Sequence, residues 1–193
     1  MCGIVGLFLK DRSLEGRLGE LLSDMLVTMT DRGPDSAGIA IYGGAEAGKA
    51  KVTVQSATPE VDFAGLDGAL EAALGSKVSV AVKDTHAVVT VDAGLLDAAK
   101  AAIASVRPGL RVMSSGETIE IYKETGLPKD VVARFDIASM TGTHGIGHTR
   151  MATESAVTTL GAHPFSTGSD QCLVHNGSLS NHNNLRRELV KAG

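Results

Sequence analysis

The sequence predicts an α+β protein built from short buried strands and amphipathic helices. Three observations support this fold class: short apolar runs at 4–8 and 39–42, leucine and methionine at helical spacing over 14–29, and valine alternating with other residues over 78–83. Apolar runs bounded by turn residues are typical of strands, whereas recurrence every three or four residues is typical of a helix. With 43% hydrophobic residues among 193, the chain can form a packed core.

The first elements follow from the apolar runs and the turns that bound them. Residues 4–8 are predicted to be a buried strand, and the stripe over 14–29 is predicted to be a helix that packs on the core. Residues 39–42 are predicted to be a second strand. The range 45–76 is rich in alanine and glycine, so it is predicted to be a connector with one short helix in its second half.

The range 77–123 is predicted to be a small two-layer insertion of ββαββ type. Alternating residues over 78–91 predict one hairpin, and an alanine-rich segment at about 95–106 predicts a helix. A second hairpin is predicted over 111–122, with its turn at Ser115-Gly116. The two pairs of strands and the helix would together make a two-layer unit.

The last third of the chain, 124–193, is polar and rich in histidine. Strands are predicted at 145–149 and 171–175, and a helix is predicted from about residue 181. Polar side chains on loops at strand ends are where function is usually found. We therefore expect 1–76 and 124–193 to form two parts of one domain, interrupted by the insertion.

Charge and cysteine content exclude several classes of protein. The net charge is −4, and no cluster of lysine and arginine predicts a nucleic-acid or anionic-membrane partner. No apolar run approaches the ~18 residues of a spanning helix, and no leader segment is recognised. Two cysteines, Cys2 and Cys172, do not make a disulfide framework, so a reducing cytoplasm is the expected location.

Cys2 directly follows the initiator methionine and precedes the first predicted strand. Removal of Met1 would leave the thiol and a free α-amino group on one residue. The pKa of an α-amine is ordinarily about 7.7–8.0, which suits a base that takes the thiol proton near neutral pH and later protonates leaving ammonia. The N-terminus therefore predicts a nucleophile that carries its own base.

Attack on a carboxamide also needs donors for the oxyanion and a group that holds the substrate. Asn176 and Gly177 follow an apolar strand and can supply a side-chain amide and a backbone N–H on a tight turn. Arg150 stands at the end of a predicted strand, where a forked guanidinium suits the carboxylate of an amino acid. Thr153 can add a hydroxyl contact.

Taken singly, these residues also have structural interpretations. A cysteine can be a small buried hydrophobe, and Asn-Gly after a strand can be only a turn. An arginine at a strand end can belong to an ion pair. Cys172, within an apolar run, is predicted to be a core residue.

The histidines raise a metal site as an alternative. His144 and His148 stand four residues apart, and His163 and His175 follow. The glycines between the first two favour a strand over a helix, and the chain has neither HExxH nor CxxC. We therefore predict no metal site.

Five motifs in order resemble those of one family. MCGIVGLF, RGPDSAG, GHTRMAT, AHPF and VHNGSLSNHNNLRREL together resemble the glutaminase domain of class II, or N-terminal nucleophile, glutamine amidotransferases. The resemblance covers about half of the residues and runs from end to end. It implies a four-layer αββα sandwich of two mostly antiparallel sheets, with further strands beyond residue 193. It also implies hydrolysis of glutamine to glutamate and ammonia.

The resemblance assigns tasks to individual residues. It implies that Cys2 is the nucleophile and that Asn176 and Gly177 form the oxyanion hole. It implies that Arg150 and Thr153 contact glutamine, and that the supporting residues are Arg32, Asp35 and His175.

Within the family, the stretch GIGHTRMATESAVTT and the long insertion are most similar to amidotransferase subunits related to glutamate synthase, including the first subunit of N-methylglutamate synthase. This implies a separate synthase partner that holds a flavin and an iron-sulfur cluster, with no cofactor in this chain. Two alternatives stay open: a catalytically silent scaffold subunit, and an amidohydrolase that acts on another small amide.

Overall fold

The computed structural model describes residues 1–152, 156–177 and 181–193. The strands of these residues are β1 (Gly3–Phe8), β2 (Ser36–Tyr42), β3 (Lys49–Gln55), β4 (Ser79–Lys83), β5 (His86–Asp92), β6 (Arg111–Gly116), β7 (Ile119–Thr125), β8 (His144–Arg150), β9 (Phe165–Gly168) and β10 (Gln171–Leu173). The α-helices are α1 (Leu18–Thr28), α2 (Pro59–Asp62), α3 (Leu66–Leu74), α4 (Leu96–Val106), α5 (Pro128–Arg134) and α6 (His182–Ala192).

The first sheet has the strand order β1-β8-β2-β7, and each pair of adjacent strands in it is antiparallel. Gly3 pairs with Thr149, and Ser36 pairs with Arg150 on one side and Thr125 on the other. Strand β8 therefore lies between the N-terminal strand and β2. The end of β8 meets the start of both neighbours, which brings distant parts of the sequence to one edge of the sheet.

Helices α1 and α5 cover one face of this sheet. The stripe of α1 turns Leu18, Leu22 and Leu26 inward, and all three are fully buried against side chains of the sheet and of α5. The predicted helix over 14–29 is shorter in the structure, because Arg12–Arg17 forms a 3-10 turn before α1 begins. Gly16 in that turn is a poor helix former, which favours the break.

The second sheet has the order β4-β5-β3-β6, and it too is antiparallel. Helices α3 and α4 cover one of its faces, where aliphatic residues form a separate core. A third, smaller cluster joins the two sheets and contains Ala40, Met113, Ile119 and Ile121. The predicted α+β class with two antiparallel sheets and helices is confirmed, and the arrangement is consistent with an N-terminal-nucleophile-hydrolase-like sandwich.

Two predictions about this region are wrong. The connector assigned to 45–76 contains β3, which lies between β5 and β6 in the second sheet. The hairpin predicted over 111–122 does not form, because β6 pairs with β3 whereas β7 pairs with β2 of the first sheet. The strands of the predicted insertion, 77–123, are thus divided between the two sheets. The division of the chain into domains stays a prediction.

Asp170 holds in place the short connection at 117–118 between β6 of the second sheet and β7 of the first, here called the crossing between the sheets. Its carboxylate accepts hydrogen bonds from the backbone N–H groups of Glu117, Thr118 and Ile119 and from the Thr118 hydroxyl, at 2.8–3.0 Å. Burial alone would raise the pKa of Asp170, but these bonds lower it below its ordinary value. Asp170 lies in the turn between β9 and β10, so the same contacts fix the short β9–β10 sheet against β6.

Some expected boundaries shift by a few residues. The strand predicted over 171–175 ends at Leu173, and β9 precedes it as its antiparallel partner. The strand predicted over 145–149 extends to 144–150. None of the helices in the described ranges has the length and apolar character needed to cross a membrane.

Replacing Asp170 with alanine is expected to destabilise the fold. The substitution leaves three backbone donors and one hydroxyl without their charged acceptor, so we expect the free energy of unfolding to fall by about 2–3 kcal/mol. Urea unfolding monitored by circular dichroism measures the change, and the exposed Asp67→Ala serves as the control. A loss below about 0.5 kcal/mol for Asp170→Ala would contradict this account of the crossing.

Candidate active site

Cys2 lies half-buried at the start of β1, beside the end of β8. Its Sγ is 3.9 Å from the carbonyl oxygen of Met151. Its own carbonyl oxygen accepts a hydrogen bond from Asn176 Nδ2 at 2.9 Å and one from Arg32 Nε at 3.4 Å. Three segments that are far apart in the sequence therefore converge on this cysteine.

The turn after β10 carries Asn176 and Gly177, both exposed to solvent. Gly177 has φ +152°, a backbone conformation that side chains rarely adopt, so glycine suits this turn. The preceding residue, His175, is exposed, and its carbonyl oxygen accepts a hydrogen bond from His148 Nε2 at 3.0 Å. The predicted oxyanion residues thus stand next to Cys2 and are tied to the first sheet through β8.

Arg150 ends β8 and is only 9% exposed. Because Gly3 pairs with Thr149, Arg150 and Cys2 lie at the same end of two adjacent strands. Arg150 Nη1 donates to the carbonyl oxygen of Ala156 at 3.3 Å, which orients the guanidinium along the following loop. The predicted carboxylate-binding group is therefore within the same region as the predicted nucleophile.

The loop that contains Arg32 and Asp35 packs directly on the end of β8. Asp35 Oδ2 accepts a hydrogen bond from the N–H of Ala152 at 2.7 Å, and the Asp35 N–H donates to the carbonyl of Arg150 at 3.1 Å. Gly33 permits this approach, since a Cβ at that position would lie 2.4 Å from the carbonyl carbon of Thr149. The loop supports both the cysteine and the arginine.

Sequence reasoning missed Thr149, which is fully buried and pairs with Gly3, the residue after Cys2. Its Oγ1 accepts a hydrogen bond from the Gly3 N–H at 3.2 Å and donates to the carbonyl of Met29 at 3.2 Å. This one hydroxyl links the residue after Cys2 to the end of α1. The signal for it was the period-2 alternation of β8, which turns Thr149 to the face opposite His148 and Arg150.

Sequence reasoning considered His148 and His163 only as candidate metal ligands. His148 is fully buried, and its ring packs against that of His163 with the centroids 4.3 Å apart and the planes inclined by 36°. Burial lowers the pKa of His148, and burial together with the neighbouring His148 and Lys123 lowers the pKa of His163 to about 4. Both rings are therefore neutral at pH 7. His148 acts as a hydrogen-bond donor that holds the turn before Asn176.

Thr153 and Cys172 are the two remaining residues singled out from the sequence. Thr153 lies outside the described residues. Cys172, predicted as core, is half-buried, and its Sγ accepts a hydrogen bond from the Tyr42 hydroxyl at 3.4 Å. Burial raises the pKa of the Cys172 thiol, which disfavours a thiolate there. Among the described residues, no group of three or more histidine, cysteine or acidic side chains is placed to hold a metal ion.

Comparison with known proteins finds relatives that align with the whole of this chain. The glutamine amidotransferase-like protein GlxB of Rhizobium meliloti is 72% identical over 193 residues, which is 100% of this chain and 64% of the relative. The chain is similar along its whole length to a glutamine amidotransferase-like protein. A provisionally named glutamine amidotransferase of Methanothermobacter thermautotrophicus is 31% identical over 205 aligned residues, covering 100% of this chain and 66% of that protein.

Part of the chain is also similar to more distant proteins of another kind. The glutamine–fructose-6-phosphate aminotransferase of Methanococcus maripaludis is 38% identical over 78 residues, 40% of this chain and 13% of the relative. No family model matches the chain. The chain spans slightly less than two thirds of the length of the first two relatives, at 64% and 66%.

Replacing Thr149 with valine is expected to destabilise the N-terminal strand. Valine keeps the volume but leaves the Gly3 N–H and the Met29 carbonyl without a partner, which costs about 1–3 kcal/mol in unfolding free energy. Thr149→Ser, which keeps the hydroxyl, is the matched control. Urea unfolding of the two variants compares them, and equal stabilities would mean that the hydroxyl does not hold Cys2 in place.

Proposed function

We propose that this chain carries the glutaminase domain of a class II glutamine amidotransferase, with Cys2 as an N-terminal nucleophile. The observation that carries the proposal is the hydrogen bond from Asn176 Nδ2 to the carbonyl of Cys2, at 2.9 Å across 174 residues of sequence. It puts the candidate oxyanion donor beside the candidate nucleophile. The similarity to a glutamine amidotransferase-like protein along the whole chain supports the same assignment.

The reaction begins with processing of the N-terminus. While Met1 is present, the nitrogen of Cys2 is an amide and cannot accept a proton. Removal of Met1, which is 76% exposed, frees the α-amine. The amine takes the thiol proton, and the sulfur attacks the side-chain carbonyl carbon of glutamine to form a tetrahedral intermediate.

Collapse of that intermediate breaks the bond between carbon and nitrogen. The protonated α-amine returns its proton to the leaving nitrogen, so ammonia departs and a γ-glutamyl thioester remains on Cys2. Water then gives a proton to the amine and attacks the thioester, which releases glutamate and regenerates the thiol. The net change is glutamine plus water to glutamate plus ammonia.

The developing oxyanion needs donors that are already in place. Asn176 Nδ2 carries two hydrogens, one of which is used by the carbonyl of Cys2. The other hydrogen and the N–H of Gly177 are the donors we assign to the oxyanion. His148 holds the carbonyl of His175, which fixes the start of this turn.

Arg150 is assigned to the α-carboxylate of glutamine. The guanidinium supplies several donors in a rigid fork, which matches a carboxylate better than an ammonium does. We assign Thr153 to the same subsite on the family resemblance alone. Asp35 and Arg32 keep the end of β8 and the backbone of Cys2 in register with these groups.

Ammonia release implies an acceptor. The proposed partner is a synthase subunit of the glutamate-synthase type, with the flavin and iron-sulfur cluster on that subunit, none on this chain, and the complex in the cytoplasm. The finer assignment, the first subunit of N-methylglutamate synthase, rests on the motif GIGHTRMATESAVTT and the long insertion.

The proposal predicts a processed and active N-terminus. Protein purified from its native host is expected to have an intact mass one methionine short, and to release glutamate from glutamine. Cys2→Ala is expected to lower that release by at least about 1,000-fold, because the nucleophile is lost. Cys172→Ala is the control and is expected to keep its activity, since its thiol bonds Tyr42 away from the site.

Other results would point to other functions. A retained methionine with no glutamate release, even with the partner subunits present, would identify a silent scaffold. Turnover of other small amides, with glutamine a poor substrate, would identify a different amidohydrolase.

Replacing Arg150 with lysine is expected to raise the KM for glutamine by about tenfold to a hundredfold, with a smaller change in kcat. Lysine keeps the charge but cannot offer two parallel donors to a carboxylate. Steady-state glutamate release measures both parameters, and Arg17→Lys on the surface is the control. An unchanged KM would exclude Arg150 from the carboxylate subsite.

A further inference from the structure

We propose that Lys123 is a positioning residue for this site, acting by anchoring the segment 156–165 that backs Arg150 and His148. The inference rests on the proposed function, since it concerns how the same site is held. Lys123 lies on β7, one edge strand of the first sheet, whereas Cys2 precedes β1 at the opposite edge.

The environment of Lys123 is unusual for a lysine. It is 3% exposed, and its Nζ donates to the carbonyl oxygens of Ala162 at 2.8 Å and Pro164 at 3.1 Å, with that of Leu160 at 3.5 Å. Its ammonium also lies 4.3 Å from the centroid of the Phe165 ring. Burial lowers the pKa of Lys123 to about 8. Lysine is almost never buried to this extent without a specific partner, and here the partners are main-chain carbonyls.

The bonded carbonyls alternate with residues that face the site. Carbonyls 160, 162 and 164 turn toward Lys123, whereas the intervening residues are Gly161 and His163. A Cβ on Gly161 would lie 3.6 Å from Arg150 Nη1, so the guanidinium packs over this glycine. The ring of His163 packs against that of His148, with the centroids 4.3 Å apart. One side of the segment is therefore held by the ammonium, and the other side supports two site residues.

Two neighbours of Lys123 fit this role. Glu124 accepts a short hydrogen bond from the Thr159 hydroxyl, so adjacent residues of β7 bind the segment at two points. Opposite Lys123 on β2 is Gly38, where a Cβ would lie 2.3 Å from the carbonyl oxygen of His163 and 2.5 Å from the Lys123 Cβ. The absence of a side chain at Gly38 gives the segment room to reach the ammonium.

Loss of the Lys123 ammonium would change the position of the segment 156–165 and of the site residues that pack on it. Three carbonyls would lose their shared donor, and the segment would shift relative to β7. Arg150 would lose the surface on which its guanidinium rests, and His148 would lose the ring that packs against it. Because Arg150 is the proposed carboxylate group, we expect substrate binding to suffer more than the chemical step.

The test compares Lys123→Met, Lys123→Gln and Lys123→Arg with wild type. Lys123→Met and Lys123→Gln remove the charge and are expected to raise the KM for glutamine about tenfold or more, with kcat within about threefold. Lys123→Arg keeps a charged donor and is expected to recover most of the loss. Lys51→Met is the matched control, because Lys51 is also buried but pairs with Glu120 away from the site.

Hydrogen exchange measured by mass spectrometry supplies a readout that does not depend on activity. Peptides covering 156–165 are expected to exchange faster in Lys123→Met and Lys123→Gln but not in Lys51→Met. If wild type releases no glutamate, the proposed function fails, and the exchange data still test the anchor. Unchanged exchange over 156–165, or a KM that moves equally in Lys51→Met, would overturn the role of Lys123.

Discussion

The last three residues of β8 are the constraint on which the site depends. His148 donates to the carbonyl of His175, Thr149 binds Gly3 and Met29, and the carbonyl of Arg150 accepts from Asp35. Each of these bonds attaches a different segment to the same central strand. The alternation of side chains along a strand turns His148 and Arg150 to one face and Thr149 to the other. Three consecutive residues therefore orient both the N-terminus and the turn that faces it.

This arrangement explains why motifs that are far apart in the sequence lie together at one edge of the first sheet. The antiparallel register puts the start of β1 and the start of β2 beside the end of β8. The turn at Asn176 returns to the same place because Asp170 fixes the β9–β10 sheet to the crossing between the two large sheets. If that crossing shifted, Asn176 would lose its position relative to Cys2 even though the first sheet remained intact.

The sequence predicted the first sheet better than the second. The run 39–42 is almost wholly buried in the first sheet, so its pattern predicts the strand directly. The strand predicted over 4–8 forms as well, but the prediction that it is buried is wrong, because Ile4 and Phe8 on this edge strand are 40% and 68% exposed. In β3 the apolar residues alternate with Lys51, Thr53 and Gln55, which are also buried, on the face toward β7. The alanine- and glycine-rich segments on either side of β3 hide this short strand within the range that was predicted to be a connector. The false hairpin at 111–122 arose because a turn signal does not say which sheet the next strand joins.

The candidate site could be predicted where a residue is proposed to contact the substrate, and it could not be predicted where a residue is proposed to act through another. Cys2, Asn176 and Arg150 stand in recognisable motifs, and their types match the chemistry. Lys123 stands in a strand with no motif around it. Only the fold brings its ammonium to the carbonyls of a segment some forty residues later.

The charges around this segment explain why its histidines must be neutral. Lys123 and Arg150 are both buried cations, and each lowers the pKa of His163 in addition to the effect of burial. A charged His163 would lie against His148 at 4.3 Å and add a third positive group to a poorly solvated region. A neutral imidazole pair instead gives a packed ring contact and one donor for the His175 carbonyl without adding charge. The positive charge near Cys2 then comes from Arg150 and from the exposed Arg32, and Arg150 is the group proposed for the substrate carboxylate.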